Sequence, residues 1–295
     1  MDRAGAGVTV RRQPGDLEPK PRAVAIGSFD GVHLGHRQVL RAAVDARLTP
    51  TVVTFDPHPR EVFGYQVELI TSLERRLELL ADAGIEDVLV LEFTEQTAQT
   101  EPEEFSEQVL AAIGTEVVVV GAGFRFGHAR RGDVELLRSL GFDARAVPLV
   151  ESISSSTIRR LVHAGEVENA ARLLGRPVEV DGQVVHGDAR GSILGFPTAN
   201  LRVHPSMLVP GFGIYAGSTL GHRAAISIGT NPHYGGDERR VEAFLLDYEG
   251  DLYGEHLLVE VWQRLRDELA FASEDELVAQ IGRDVEATRA AERPV

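Results

Sequence analysis

Upstream of about Leu174, short apolar runs alternate with amphipathic stretches. AVAI (23–26), TVVTF (51–55), DVLVLEF (87–93), EVVVV (116–120) and DARAV (143–147) read as strands covered on both faces. Between them, HRQVLRAAVDARL, SLERRLELLADAG, PEEFSEQVLAAIG and GDVELLRSLG place apolar residues three and four apart, which predicts helices. Strand-helix alternation of this kind implies a doubly wound parallel sheet, an α/β domain that binds ligands at the carboxyl ends of its strands.

After LLGRP (173–177) the rhythm changes. EVDGQVV, GIYAGSTL, AAISIG, RRVEAFLLDYEG and HLLVEVW are short, β-rich and separated by glycine and proline, a pattern that predicts a compact antiparallel barrel. SEDE (273–276) has the spacing of a capping box and opens a C-terminal helix. The expected division is an N-terminal extension over 1–21, a first domain over 22–176 and a second over 177–295.

Composition narrows the chemistry. The chain has 295 residues, 43% hydrophobic and 25% charged, as in an ordinary globular protein of two domains. A net charge of −15 argues against a nucleic-acid partner, since counterion release needs many cationic contacts. There is no cysteine, so thiolate catalysis and disulfides are excluded. No apolar run has the length of a membrane span or the core of a signal peptide, and a cytoplasmic protein is expected. Lys20 is the only lysine, which rules out a Walker A loop; phosphate must be met by backbone amides, arginine, histidine or a metal.

GSFDGVHLGH (27–36) follows the first buried strand and precedes the first helix. Glycines let the backbone approach a nucleotide, and the following helix offers free amides to phosphate. His33 and His36, three apart, can point the same way and donate to a polyphosphate. This HxGH spacing resembles that of nucleotidyltransferases that attack the α-phosphate of a nucleoside triphosphate; the plainer reading is a tight turn with two surface histidines. In SSSTIRR (154–160), Ser155 or Ser156 caps a helix whose first turn carries Arg159, a site for distal phosphates or simply a solvated helix start. TFDPHP (54–59) ends the second strand in a rigid loop, and His58 there carries little functional weight.

In the second half, Thr198 and Asn200 of GFPTANL offer hard oxygen atoms suited to magnesium, or merely form a turn. Alternation places Glu242, in RRVEAFLLDYEG, on the face opposite its neighbours Val241 and Ala243; there it could serve as a general base or be a solvated strand residue.

Taken in order, GSFDGVHLGH, TFDPHP, FRFG with RRGD, SSSTIR, GFPTANL and VEAFLLDYEGDLYG resemble the bacterial bifunctional riboflavin kinase and FMN adenylyltransferase family, also called FAD synthetase, from about Ala23 to Asp284. The resemblance implies that the first domain joins FMN to the AMP of ATP, giving FAD. His33 and His36 would stabilise the triphosphate, with nucleotide contacts from Gly27, Phe29, Asp30 and Gly31, and Ser155 and Arg159 on the distal phosphates. It implies that the second domain phosphorylates riboflavin with ATP: Glu242 as base, Thr198 and Asn200 on Mg2+, and Gly187, Gly195 and Pro197 at the nucleotide. Partners are then riboflavin, FMN, FAD and ATP; a homo-oligomer is compatible with the sequence.

The chain also departs from the family pattern. Ala122 and Gly123 precede FRFG where the family usually has an acidic residue and then Asn or Asp, and Leu34 stands where arginine or lysine is frequent. Ser192, Ile193, His233 and Tyr234 are further substitutions. Three readings follow: a bifunctional enzyme, a riboflavin kinase whose first domain is impaired or altered in substrate choice, and a flavin- or nucleotide-responsive regulator.

Overall fold

The structure is a computed structural model that describes residues 7–148, 150, 152–187, 196–230 and 239–294. Gly195 of the candidate site lies outside the described residues, as do Ser192, Ile193, His233 and Tyr234. The chain forms two compact units: the described residues up to Val67 with Ser72–Ser154, and Glu68–Thr71 with those from Ser155 onward.

The first unit is a parallel sheet of six strands, β1 (Thr9–Arg11), β2 (Arg22–Ile26), β3 (Thr49–Asp56), β4 (Asp87–Glu92), β5 (Thr115–Gly121) and β6 (Asp143–Val147), in the order β1-β4-β3-β2-β5-β6. Every residue of β2 is buried. Helices cover both faces. Val39, Leu40 and Ala43 of α1 (Leu34–Val44) join Leu79 and Leu80 of α3 (Leu73–Asp82) in one core; α2 (Pro59–Val62) is a short turn between β3 and α3. Opposite lies a second core containing Val109, Leu110 and Ile113, beyond α4 (Pro102–Phe105), and Leu137 of α5 (Val134–Ser139). The helix that PEEFSEQVLAAIG predicts continues past α4 as π-helix over Ser106–Ala111. The doubly wound sheet expected from the alternation is present. β1 adds an edge strand within the first 21 residues; three residues are too few to show a period.

At the amino ends of the strands, the guanidinium of Arg22, 1% exposed, donates to Asp87, to Thr51 Oγ1 at 3.0 Å and to the Ile113 carbonyl at 2.9 Å. Polar residues thus fasten the end of the sheet away from the ligand crevice. Strand order reverses beside β2: the chain runs outward through β3 and β4, then crosses back to β5 on the other side of β2. A crevice at the carboxyl ends of β2 and β5 is the position such sheets use for ligands.

The second unit is a closed antiparallel barrel of β7 (Val178–Val185), β8 (Ala199–Val203), β9 (Gly213–Thr219), β10 (His222–Thr230), β11 (Arg239–Leu245) and β12 (His256–Arg266), in the order β10-β11-β8-β7-β12-β9. Closure leaves no free sheet edge. Its core includes Val180, Leu201, Ile226, Val241 and Val259, and takes in Ile158, Leu161 and Val162 of α6 (Ser155–His163) and Val167, Ala170 and Leu174 of α7 (Val167–Leu174). These two helices precede the composition change at 176/177, yet their apolar stripes complete the barrel's core. Ser273 caps α8 (Glu274–Ala290), its Oγ accepting the Glu276 amide at 3.3 Å. α8 packs on β9 and β10 and is tied to the barrel by a two-pronged pair in which Arg266 Nε and Nη2 donate to Asp284 at 3.0 and 2.7 Å.

Candidate functional sites

In the first unit, Gly27–His33 spans the gap between β2 and α1 at the carboxyl edge of the sheet. Phe29, Gly31 and Val32 all have positive φ, at 49°, 85° and 37°. For β-branched Val32 that is a strained conformation, which persists only where the surroundings enforce it. The enforcement is visible. Thr54 Oγ1 donates to the Ser28 carbonyl at 3.2 Å, and Arg76 Nη1 donates to the same carbonyl at 2.7 Å. Phe29, Asp30, Val32 and His33 are buried.

His33 caps α1. Its Nδ1 accepts the His36 amide at 3.2 Å, so the neutral ring carries its proton on Nε2. The two imidazoles stack with centroids 3.6 Å apart and planes 16° apart, and Phe29 meets His36 edge-on at 5.3 Å. Burial, then the charge of His33 and that of Arg76, hold the His36 pKa well below the ordinary histidine range. The His36 ring is therefore a neutral hydrogen-bonding group at neutral pH. The glycine inside HxGH has a steric reason, since a Cβ on Gly35 would lie 3.2 Å from the His33 ring.

At the neighbouring carboxyl end of β5, Ala122 donates its amide to the Val147 carbonyl at 2.7 Å, and Gly123 has φ of 84° with open space where a Cβ would be. Ser155 and Arg159 lie at the start of α6 in the second unit, where Arg159 Nε donates to the Glu68 carbonyl at 2.6 Å. His58 caps α2 by accepting the Arg60 amide at 3.2 Å.

In the second unit, GFPTANL leads into a strand rather than a turn: β8 begins at Ala199. Glu242 on β11 pairs directly with Asn200 on β8 and with Ser227 on β10. Val241 and Ala243 point into the barrel, so Glu242 faces outward, with about a third of its side chain exposed (32%). Arg240 Nη1 lies 3.8 Å from its carboxylate. Asn200 Nδ2 donates to the Thr198 carbonyl at 3.4 Å, which leaves Oδ1 as an acceptor. A Cβ on Gly187 would collide with the Asn200 carboxamide, so the backbone at Gly187 lies against that side chain. Pro197 is exposed just before Thr198. The barrel thus brings Gly187, Asn200 and Glu242 together on one outer face. Beside them, the rings of Phe196 and Phe244 meet edge-on at 5.4 Å.

Two neutral oxygens, from Thr198 and Asn200, next to a single carboxylate suit a magnesium ion that takes its remaining ligands from water and phosphate. Among the described residues no cluster of three or more His, Asp or Glu side chains forms an all-protein metal cage. Arg76 is the residue that pattern reading passed over: within LERRLELL it looks like a solvated helix charge, yet it is 1% exposed. Its position beneath the loop depends on tertiary folding.

Comparison with known proteins agrees with both halves. The FAD synthetase family model matches residues 16–159, and the riboflavin kinase model matches residues 174–291. Bifunctional riboflavin kinase/FMN adenylyltransferases are similar along nearly the whole chain: that of Listeria monocytogenes is 37% identical, covering 91% of this chain and 92% of the relative, and that of Escherichia coli K12 is 36% identical, covering 88% and 90%. The crystal structure of a macrolide-efflux protein from Streptococcus pneumoniae is similar with a TM-score of 0.87 and 32% identity, covering 96% of this chain and 98% of that one. Among the described residues, no helix is long and apolar enough to cross a membrane. With domain matches in this order and relatives above 30% identity over nine-tenths of its length, the chain belongs to the bifunctional riboflavin kinase/FMN adenylyltransferase family.

Proposed function

We propose that this chain phosphorylates riboflavin to FMN on its barrel unit and adenylylates FMN to FAD on its parallel-sheet unit, using ATP in both reactions. The observation that carries the kinase reading is the direct pairing of Glu242 with Asn200. Glu242 accepts the proton of the ribityl 5′-hydroxyl as that oxygen attacks the γ-phosphate of ATP, and ADP leaves. Thr198 and Asn200 hold Mg2+, which when bound neutralises charge on the phosphate oxygens. Gly187, Gly195 and Pro197 contact the nucleotide.

In the sheet unit, an FMN phosphate oxygen attacks the α-phosphate and pyrophosphate leaves. His33 Nε2–H donates to the oxygens on which charge develops, and the neutral His36 ring fixes its plane by stacking. Gly27, Phe29, Asp30 and Gly31 form the backbone cradle, while Ser155 and Arg159 serve the distal phosphates. This is catalysis by positioning and charge neutralisation. The compartment proposed for both reactions is the cytoplasm.

A second reading rests on Ala122 and Gly123, which give the carboxyl end of β5 no polar side chain beside the histidine loop; on it the sheet unit is slow or takes another flavin or nucleotide. One assay separates the two. The chain is incubated with riboflavin, ATP and magnesium, and riboflavin, FMN and FAD are resolved chromatographically. FMN followed by FAD is expected; FMN alone supports the second reading, and neither product refutes both. Glu242→Gln should abolish FMN formation while leaving ATP binding, and FAD formation from supplied FMN, intact.

A further inference from the structure

Beneath the histidine loop lies a buried cation. Arg76, in the first turns of α3, reaches under the loop from the side of β3. Its Nη1 donates to the Ser28 carbonyl at 2.7 Å, with longer contacts of 3.4 Å to Thr54 Oγ1 and to the Phe55 carbonyl. Its Nε is buried without a hydrogen-bond partner. An arginine is rarely buried without cause, since desolvating a charge is expensive. Burial lowers the Arg76 pKa, while Asp30, Asp56, Glu61 and Glu74 oppose that shift and keep the side chain a cation.

Two consequences meet at the same loop. The Ser28 carbonyl, where the chain leaves β2, is fixed by donors from α3 and β3 together, and the next four residues include three with positive φ. A loop so strained springs to other conformations unless anchored at its root. His36 also feels the cation: the charged and titratable groups acting on it are His33 from the loop and Arg76 from α3, and both oppose its protonation.

We propose that Arg76 is a positioning residue for adenylyl transfer, anchoring the Ser28 carbonyl so that the loop presents the stacked His33 and His36 in their reactive geometry. The proposal rests on the reading of that loop as the adenylyl-transfer site. Arg76 itself, almost fully buried, touches no substrate.

The test uses the full chain with Arg76→Met and Arg76→Lys, each assayed for FAD formation from FMN and ATP and for FMN formation from riboflavin and ATP. Arg76→Met should lower kcat for FAD formation by about 10²-fold, the scale set by a misplaced catalytic group. FMN formation, carried by the other unit, should keep its wild-type rate, which confines the effect to the sheet unit, and far-UV circular dichroism melts report folding. Arg76→Met also removes a cation that opposes His36 protonation, so the acid limb of the residual FAD-forming activity should move to higher pH. Arg76→Lys keeps the charge and one donor; it should recover most of the rate with the acid limb in place. Wild-type FAD formation with an unmoved acid limb in Arg76→Met overturns the proposal, as does a rate in Arg76→Lys as low as that of Arg76→Met. His33→Ala and His36→Ala are run in parallel. Their loss of FAD formation beside an active Arg76→Met refutes the role of Arg76 alone, whereas unimpaired histidine variants refute the reading of the loop. If Arg76→Met does not fold, Arg76→Lys decides through its rate and pH profile.

Discussion

Asn200 and Glu242 face one another across the β8–β11 pair, both on the outer face of a barrel whose inner face is sealed by Leu201, Val241 and Ala243. Directly paired side chains in an antiparallel sheet stay within about 5.5 Å at Cβ, close enough for a base and a metal ligand to serve one phosphoryl group. The geometry is set by register. A slip of one residue in β8 would replace Asn200 by an inward-facing apolar residue and dismantle the site.

Gly187 is the supporting residue for that pair. Gly187→Ala places a methyl group in the volume of the Asn200 carboxamide and turns its oxygen away. The expected result is a loss of about 10–100-fold in apparent magnesium affinity during FMN formation, as when a ligand's support is displaced. FAD formation from supplied FMN should be unchanged. Titrating magnesium in the two half-reactions checks this; equal effects on both would exclude the assignment.

Gly35→Ala separates stability from activity in the other unit. Inside a helix the change removes backbone freedom and adds about 0.5–1 kcal/mol of stability. The new methyl, however, meets the His33 ring at 3.2 Å and pushes it from its stack on His36. Thermal melts should show an unchanged or higher Tm, while FAD formation falls about 10²-fold. A variant that is both fully active and more stable would show that the ring's placement is unimportant.

How much of this was legible depends on whether the signal was local. β2 to β5 were readable because buried parallel strands are apolar runs, and Glu242 because period-two alternation assigns a face without any structure. β6 is a strand as expected but not covered on both faces, since it is the sheet's edge and only its Ala144 is buried. β1 was not readable, since Thr9–Arg11 is short and pairs with β4, far along the chain. β8 hid behind Pro197, which signals a turn just before the strand starts. The affinity of α6 and α7 for the barrel could not be read from a change of rhythm, because an amphipathic helix shows which face is buried and not against what. Arg22 and Arg76 were invisible for the same reason: their burial comes from partners 65 and 48 residues away in Asp87 and Ser28.

α8 should detach from the barrel when its clamp is cut. Asp284 is buried and accepts both prongs of Arg266, and Arg223 Nη1 donates to the Thr288 carbonyl at 3.0 Å nearby. Asp284→Ala leaves the Arg266 guanidinium without its carboxylate, a loss of about 3–5 kcal/mol for a broken buried pair. Amide exchange over Glu274–Ala290 should accelerate, while exchange in β2 to β5 stays as in the parent. Uniform acceleration along the chain would mean that α8 unfolds only with everything else.

The acid limit of the sheet unit should be set at Asp87. Burial alone would raise its pKa, but the hydrogen bond and charge of Arg22, with Lys20 at 3.3 Å, outweigh that and hold it below the usual aspartate value. A carboxylate whose folded pKa is depressed contributes stability above its unfolded pKa, near 3.9 as an order-of-magnitude reference, and loses it as pH falls through the folded value. Stability of the wild-type chain should therefore decline over that acidic window. In Asp87→Asn the charge is absent at every pH and Arg22, 1% exposed, is left without its counter-ion. At neutral pH this variant should be less stable by about 3–5 kcal/mol, and because no proton is taken up at position 87, its stability should fall less steeply with acid. The measurement is urea unfolding followed by far-UV circular dichroism from neutral pH to pH 3, and parallel stability curves for the two proteins would show that the Arg22–Asp87 pair does not govern acid unfolding.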